Sequence, residues 1–186
     1  MWFATRPVPP RVSRLLITPP AAATLTVEDA FHDLAIAPDG SRVVYVGNNG
    51  TQIFVRPLDG LDAVAIASGL PRGPFISPDS QWVGFSEGGF LKKVLITGGP
   101  SIAVANLGGN AHRGSTWSAD STIVFATNNQ ETGLQRVSPA GGTPEVLTRF
   151  ARRESGTVVL RNEQNRGKGF SVARGLTAAR GRYRVF

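Results

Sequence analysis

A turn of the Pro-Asp-Gly type recurs three times in this chain of 186 residues, each time between two apolar segments. The three copies are Ala37-Pro38-Asp39-Gly40, Ser77-Pro78-Asp79-Ser80 and Ser118-Ala119-Asp120-Ser121. Their aspartates lie 40 and 41 positions apart. In such turns proline presets φ, the aspartate accepts hydrogen bonds from the backbone two residues on, and glycine tolerates a positive φ. The chain is therefore a tandem array, and we interpret Asp39, Asp79 and Asp120 as turn-forming rather than catalytic residues.

Each repeat contains four short segments with the composition of β-strands. An apolar segment precedes the aspartate, a β-branched and aromatic segment follows it, and a third segment leads to Asp59-Gly60, Gly98-Gly99 or Gly141-Gly142. Such pairs favour a tight connection into a fourth, antiparallel strand. A period near 40 residues is typical of propeller blades. The sequence thus predicts an all-β fold: a partial, open β-propeller of about three four-stranded antiparallel blades, at residues 30–69, 70–109 and 110–148.

The repeats are flanked by two segments without the pattern. Residues 1–29 are predicted to be a linker with a possible strand at 14–18, and residues 149–186 an irregular tail. Since the smallest common closed propellers have about four blades, we interpret the chain as a truncated product of a longer gene. A homodimer that pools two arcs is the alternative, and uncovered blade edges would favour such self-association.

The formal net charge of +7 comes from the tail. Residues 149–186 contain ten basic and two acidic residues, so residues 1–148 carry a charge of −1. A nucleic-acid interface would need a basic face on the folded part, so we favour a solvated extension over nucleic-acid binding. Salt-dependent binding of polyanions by the tail stays as an alternative. The Arg, Gly and Ala-rich composition is also what out-of-frame reading of a GC-rich gene would give, a hypothesis that the other reading frames test.

These repeats resemble the TolB-type, WD-repeat-like propeller repeat. In more detail, segments 2–7, 45–52 and 133–137 resemble the sensor propeller of bacterial, eukaryotic-type serine/threonine kinases. That resemblance implies a kinase domain and a membrane helix elsewhere in a full-length relative, and an extracytoplasmic (periplasmic), membrane-tethered location for the propeller. The chain as written contains no kinase motif, signal peptide or apolar run of ~20 residues, so a cytoplasmic location is the alternative.

No catalytic, cofactor-binding or metal-binding residue is predicted. The Gly-x-Ser-x-Gly elbow of serine hydrolases does not occur, cysteine is absent, and the two histidines are His32 and His112. His32 and Asp33 are expected to face opposite sides of a strand, and His112 to lie alone in a glycine-rich loop. We therefore expect a noncatalytic, cofactor-free module for protein or ligand binding. The alternative is an accessory propeller of a serine peptidase whose catalytic domain lies elsewhere.

Three basic residues share one place in the repeats. His32, Arg72 and Arg113 each lie seven positions before the turn aspartate, where the chain enters the innermost strand. In a propeller these positions surround the mouth of the central channel. Together, such channel-mouth residues would favour a small anionic ligand, carboxylate or phosphate, through fork-shaped donors. The alternative is that they cap strands or pair with a neighbouring acid such as Asp33.

Overall fold

The computed structural model describes residues 18–26 and 32–149. Within these ranges the chain forms twelve β-strands and one short 3-10 turn, Ala21–Ala23. The segment proposed as a strand at 14–18 lies outside the described residues except for Thr18, as does most of the predicted linker and all of the tail beyond Arg149. In the part that is described, no helix has the length and apolar character needed to cross a membrane.

The strands form three separate antiparallel sheets of four strands each. The first sheet contains β1 (Leu34–Ile36), β2 (Arg42–Gly47), β3 (Gln52–Pro57) and β4 (Val64–Ser68). The second contains β5 (Arg72–Ile76), β6 (Trp82–Glu87), β7 (Phe90–Leu95) and β8 (Ile102–Asn106), and the third contains β9 (His112–Trp117), β10 (Ile123–Thr127), β11 (Leu134–Val137) and β12 (Glu145–Val146). Neighbours in each sheet are neighbours in the chain. The prediction of an all-β, open propeller arc with four-stranded blades is confirmed.

The aspartate turns join the first two strands of each sheet. The strand pairs that flank them, Ile36–Val43, Ile76–Val83 and Trp117–Ile123, lie directly opposite each other. The residue after each aspartate has a positive φ, with +70° at Gly40, +58° at Ser80 and +62° at Ser121. The backbone conformation of the turn is thus the same in all three copies, although only the first has glycine there.

Two hydrophobic cores join the sheets face to face. Between the first and second sheets, aliphatic residues such as Val44 and Ile53 pack with Val83 and Phe85. The second core joins the second and third sheets, and its buried members are Phe75, Leu91, Val104, Ala105, Leu107, Ile123, Phe125 and Val137. The first strands also touch one another, β1 against β5 and β5 against β9. They therefore form the inner side of the arc, where a propeller has its channel.

Candidate functional site at the inner strands

A small pocket lies at the beginning of the inner strands β5 and β9. Its volume is about 90 Å³, and we call it the inner-strand pocket. The residues that line it are His32, Gly73, Pro74, His112, Arg113, Gly114 and Ser115. It therefore combines residues of β5 and β9 with His32, which lies in the connection before β1.

Two β-bulges shape this pocket. In the second sheet Arg72 pairs with Ser86 and Phe75 with Gly84, so Gly73 and Pro74 together face one residue of β6. In the third sheet His112 pairs with Thr127 and Gly114 with Ala126, which leaves Arg113 without a cross-strand partner residue. A bulge bends its strand and re-aims side chains, and proline is tolerated there because no ladder hydrogen bond is needed. The bulges thus turn Gly73, Pro74 and Arg113 towards the pocket.

The channel-mouth residues are not all brought together. His32 and Arg113 are exposed and line the inner-strand pocket. Arg72 is held elsewhere, because its Nη1 donates hydrogen bonds to the carbonyl oxygens of Gly50 at 2.7 Å and Pro71 at 2.8 Å. Its guanidinium therefore ties the start of the second sheet to the β2–β3 turn. Anion binding by His32 and Arg113 stays a prediction.

Asp33 links the first two sheets at the same level. Its side chain is buried, with 4% of its surface exposed, and Oδ1 accepts a hydrogen bond from the backbone N–H of Gly73 at 3.3 Å. The expectation that His32 and Asp33 lie on a strand is wrong, since β1 begins only at Leu34. They belong to the connection that precedes it, where His32 is exposed and Asp33 buried.

His112 also differs from expectation. It is the first residue of β9 and is buried, with 4% of its surface exposed, rather than alone in a loop. Its Nε2 lies 2.7 Å from Ser115 Oγ, while Nδ1 has no hydrogen-bond partner among the described residues. Burial lowers the pKa of His112 to about 4, so its imidazole is neutral at physiological pH. A base of such low pKa, without a carboxylate on Nδ1, activates a hydroxyl poorly. The hydrogen-bonded pair spans the bulge at the start of β9.

The turn aspartates are engaged within their own turns. Oδ1 of each accepts the backbone N–H two residues on, at 2.9 Å in the first turn and 3.0 Å in the other two. The same oxygen also accepts a serine hydroxyl, from Ser41, Ser77 and Ser118 in turn. The serine hydrogen bonds are the main reason why the pKa values of the three carboxyls lie below the ordinary value. Bonds of this kind favour the ionised form.

Sequence reasoning missed the bulges and the role of His112. A signal was present, because a basic residue followed by glycine occurs near the start of the two bulged inner strands, Arg72-Gly73 and Arg113-Gly114. Glycine in a strand often marks a bulge. In the described ranges, no three His, Asp or Glu side chains lie close enough together to hold a metal ion.

Comparison with known proteins shows the fold. No family model matches the chain, and no curated protein matches it in sequence. Among solved structures, a chain of the nidogen/laminin complex is 14% identical with a TM-score of 0.54, the match covering 62% of this chain and 46% of that one. TolB from Acinetobacter baumannii is 18% identical with a TM-score of 0.52, at 63% and 32% coverage. Hydrazine synthase from Kuenenia stuttgartiensis is 14% identical with a TM-score of 0.51, at 66% and 36% coverage.

The chain spans less than half the length of each of these structures. At such low identity the likeness shows a β-propeller-like fold, with TolB among the similar structures, and nothing about activity. The resemblance to TolB-type repeats is confirmed at the level of the fold.

Proposed function

We propose that this chain is a noncatalytic binding module whose inner-strand pocket takes a carboxylate or phosphate group of a ligand or of a partner protein. The observation that carries the proposal is the pair of β-bulges, which direct Gly73 and Arg113 into one pocket beside the exposed His32. A volume of about 90 Å³ suits a single small anionic group.

The charges around the pocket support an anion. Arg113 is exposed and permanently charged, and its planar fork can hold two oxygens of one carboxylate or phosphate. The nearby carboxylate of Asp33 opposes an anion, but it accepts the N–H of Gly73 and is buried between sheets. His112 adds no charge to the pocket, because its imidazole is neutral at physiological pH. Among the residues that line the pocket, Arg113 is therefore the one with a permanent charge.

The proposal extends to the setting of the module. Because its repeats resemble those of kinase-linked sensor propellers, we propose that the module serves as the extracytoplasmic sensor part of a kinase-linked receptor. The neighbouring DNA tests this: a kinase-encoding segment upstream supports the proposal, and a downstream Gly-x-Ser-x-Gly domain would instead favour the accessory propeller of a serine peptidase.

The binding experiment uses the full chain, with inorganic phosphate and acetate as probes. We expect saturable shifts of the amide resonances of Gly73 and Gly114 in ¹⁵N–¹H spectra, and an affinity at least tenfold weaker in Arg113→Ala. The matched control is Arg136→Ala, since Arg136 is also an exposed arginine of the third sheet and pairs with Glu145 at 2.9 Å. Absence of saturable shifts, or equal losses in both variants, would contradict the proposal.

A further inference from the structure

A second cleft lies between the second and third sheets, at the end where the aspartate turns are. It has a volume of about 310 Å³, and we call it the indole groove. Its walls carry Trp82, Trp117, Lys93, Asp79 and Ser121, together with Ser77, Pro78, Ala119 and Pro139. Both tryptophans are partly exposed. The groove shares no residue with the inner-strand pocket.

The junction between the first and second sheets shows what the same place looks like when it is closed. There Ser80 is buried, with 2% of its surface exposed, and its Oγ accepts the backbone N–H of Asp39 at 3.4 Å. Ser121 occupies the equivalent position in the next turn and is exposed. The repeat therefore does not require an open groove at this place, and the second junction differs from the first.

The difference coincides with a change of side chains. Trp117 lies three residues before its turn aspartate, where the other repeats have Ile36 and Ile76. Ile76 is buried in the core between the first two sheets, whereas Trp117 packs at the edge of the next core and lines the groove. Its ring lies 6.1 Å from that of Phe75, measured between centroids, in a tilted aromatic contact.

The polar groups of the groove carry balanced charge. The ammonium of Lys93 lies 4.5 Å from the centre of the Trp82 ring, a cation–π contact that holds the lysine at the wall. Asp79 carries the opposite charge. The hydrogen bond from Ser77 is the main reason why the pKa of its carboxyl is lowered, so this carboxyl is ionised at neutral pH. Both turn hydrogen bonds go to Oδ1 of Asp79, at 2.5 Å from Ser77 Oγ and 3.0 Å from Gln81 N. A carboxylate has about four acceptor sites, which leaves capacity for a ligand.

From this arrangement we propose that the indole groove binds a neutral saccharide. The C–H face of a sugar ring can stack on an indole, and its hydroxyls can donate to a carboxylate and accept from an ammonium in the same site. An anionic ligand would meet the carboxylate of Asp79, and a cationic one the ammonium of Lys93, so the charge balance favours an uncharged partner.

The test screens the full chain on an array of neutral oligosaccharides built from pentoses, hexoses and N-acetylhexosamines. The strongest binder is then titrated by calorimetry. We expect Trp117→Ile to weaken binding at least tenfold. Isoleucine is the residue of the other two repeats at this position, so the variant is expected to fold, which circular dichroism checks.

The matched control is Phe90→Ala, since Phe90 is an exposed aromatic residue at the opposite end of the second sheet. It should bind the oligosaccharide like the unaltered chain. Phosphate binding at the inner-strand pocket should be the same in Trp117→Ile, which separates the two proposals. The saccharide proposal would be overturned if the chain bound no oligosaccharide on the array, or if Trp117→Ile bound as tightly as the unaltered chain. It would also be overturned if the groove bound proline-rich peptides instead of sugars.

Discussion

The imidazole of His112, in the third sheet, lies directly against Gly73 of the second sheet. A Cβ placed on Gly73 would be 3.0 Å from Cε1 and 3.1 Å from Nδ1 of the histidine ring. Gly73 also has a φ of +58°, in the left-handed region. Two bulged inner strands therefore meet at a point where a side chain on residue 73 would be strained, and the inner-strand pocket is built around that contact.

Replacement of Gly73 by alanine should therefore destabilise the fold. The left-handed backbone costs a residue with a Cβ roughly 1–2 kcal/mol, and the close contact with the ring adds to it, so we expect a loss of about 2–4 kcal/mol. Urea unfolding, followed by circular dichroism, measures the change. Gly88→Ala is the control, because Gly88 has the same φ of +58° but nothing within 4 Å of a Cβ. Equal losses in the two variants would show that the ring contact contributes nothing.

The buried His112 makes stability depend on pH. Burial lowers its pKa from 6.5 to about 4, so between these values the unfolded chain binds a proton that the folded chain does not. Stability must then rise with pH from about 4 to 6.5 and be constant, as far as this group is concerned, above that. At about 1.4 kcal/mol per pH unit, the free energy of unfolding should differ by about 3 kcal/mol between pH 4 and pH 6.5.

Urea unfolding between pH 5 and 7 measures this dependence, above the range in which the turn aspartates titrate. The comparison with His112→Gln isolates the histidine, because glutamine keeps a polar side chain and does not titrate. The variant should lose most of the slope in this range. If its slope equals that of the unaltered chain, His112 is not the group responsible.

The fold could be predicted because its signal is local. A turn such as Ser77-Pro78-Asp79-Ser80 needs only its own side chains to form, since Asp79 accepts from Ser77 and Gln81 within five residues. Three copies at a constant period then fix the number of sheets. Likewise the alternation of strands and turns determined that each sheet is antiparallel.

The site could not be predicted in the same way because it depends on contacts between sheets. Arg72 and Arg113 hold the same position in the repeat, yet Arg72 donates a hydrogen bond to the carbonyl of Gly50 whereas Arg113 lines the inner-strand pocket. The difference comes from a neighbouring loop, 22 residues away in the chain. Likewise, the burial of His112 depends on Gly73 of another sheet. Equivalent positions in a repeat share a backbone environment but need not share neighbours.

The turn of the second sheet offers a direct test of the role of Asp79. Alanine at this position removes the acceptor for the Gln81 N–H and the Ser77 hydroxyl. Because the carboxylate of Asp79 itself is exposed to water, the loss should be modest, about 1 kcal/mol. Asparagine keeps a side-chain oxygen at the same place and should recover most of it. The midpoints of urea unfolding for Asp79→Ala and Asp79→Asn check this, and a turn that needs the carboxylate charge would instead leave both variants equally weak.

The second sheet also depends on the direct pairing of Gly84 with Phe75 across β5 and β6. The ring of Phe75 covers Gly84 so closely that a Cβ there would overlap it. Gly84→Ala should therefore cost about 3 kcal/mol or more, since the ring is buried and can move only by disturbing Trp117 and the second core. Gly60→Ala is the control, because a Cβ on Gly60 would meet its nearest neighbour at an ordinary 3.6 Å.

A double-mutant cycle identifies the cause of the Gly84→Ala loss. Phe75→Leu removes part of the ring and leaves a space in the core, so alone it also destabilises. With both changes the alanine methyl occupies part of that space, and the combined loss in the free energy of unfolding should be at least 1 kcal/mol smaller than the sum of the two single losses. If the two losses simply add, the overlap with Phe75 is not what makes glycine necessary, and the requirement must lie in the backbone of β6 itself.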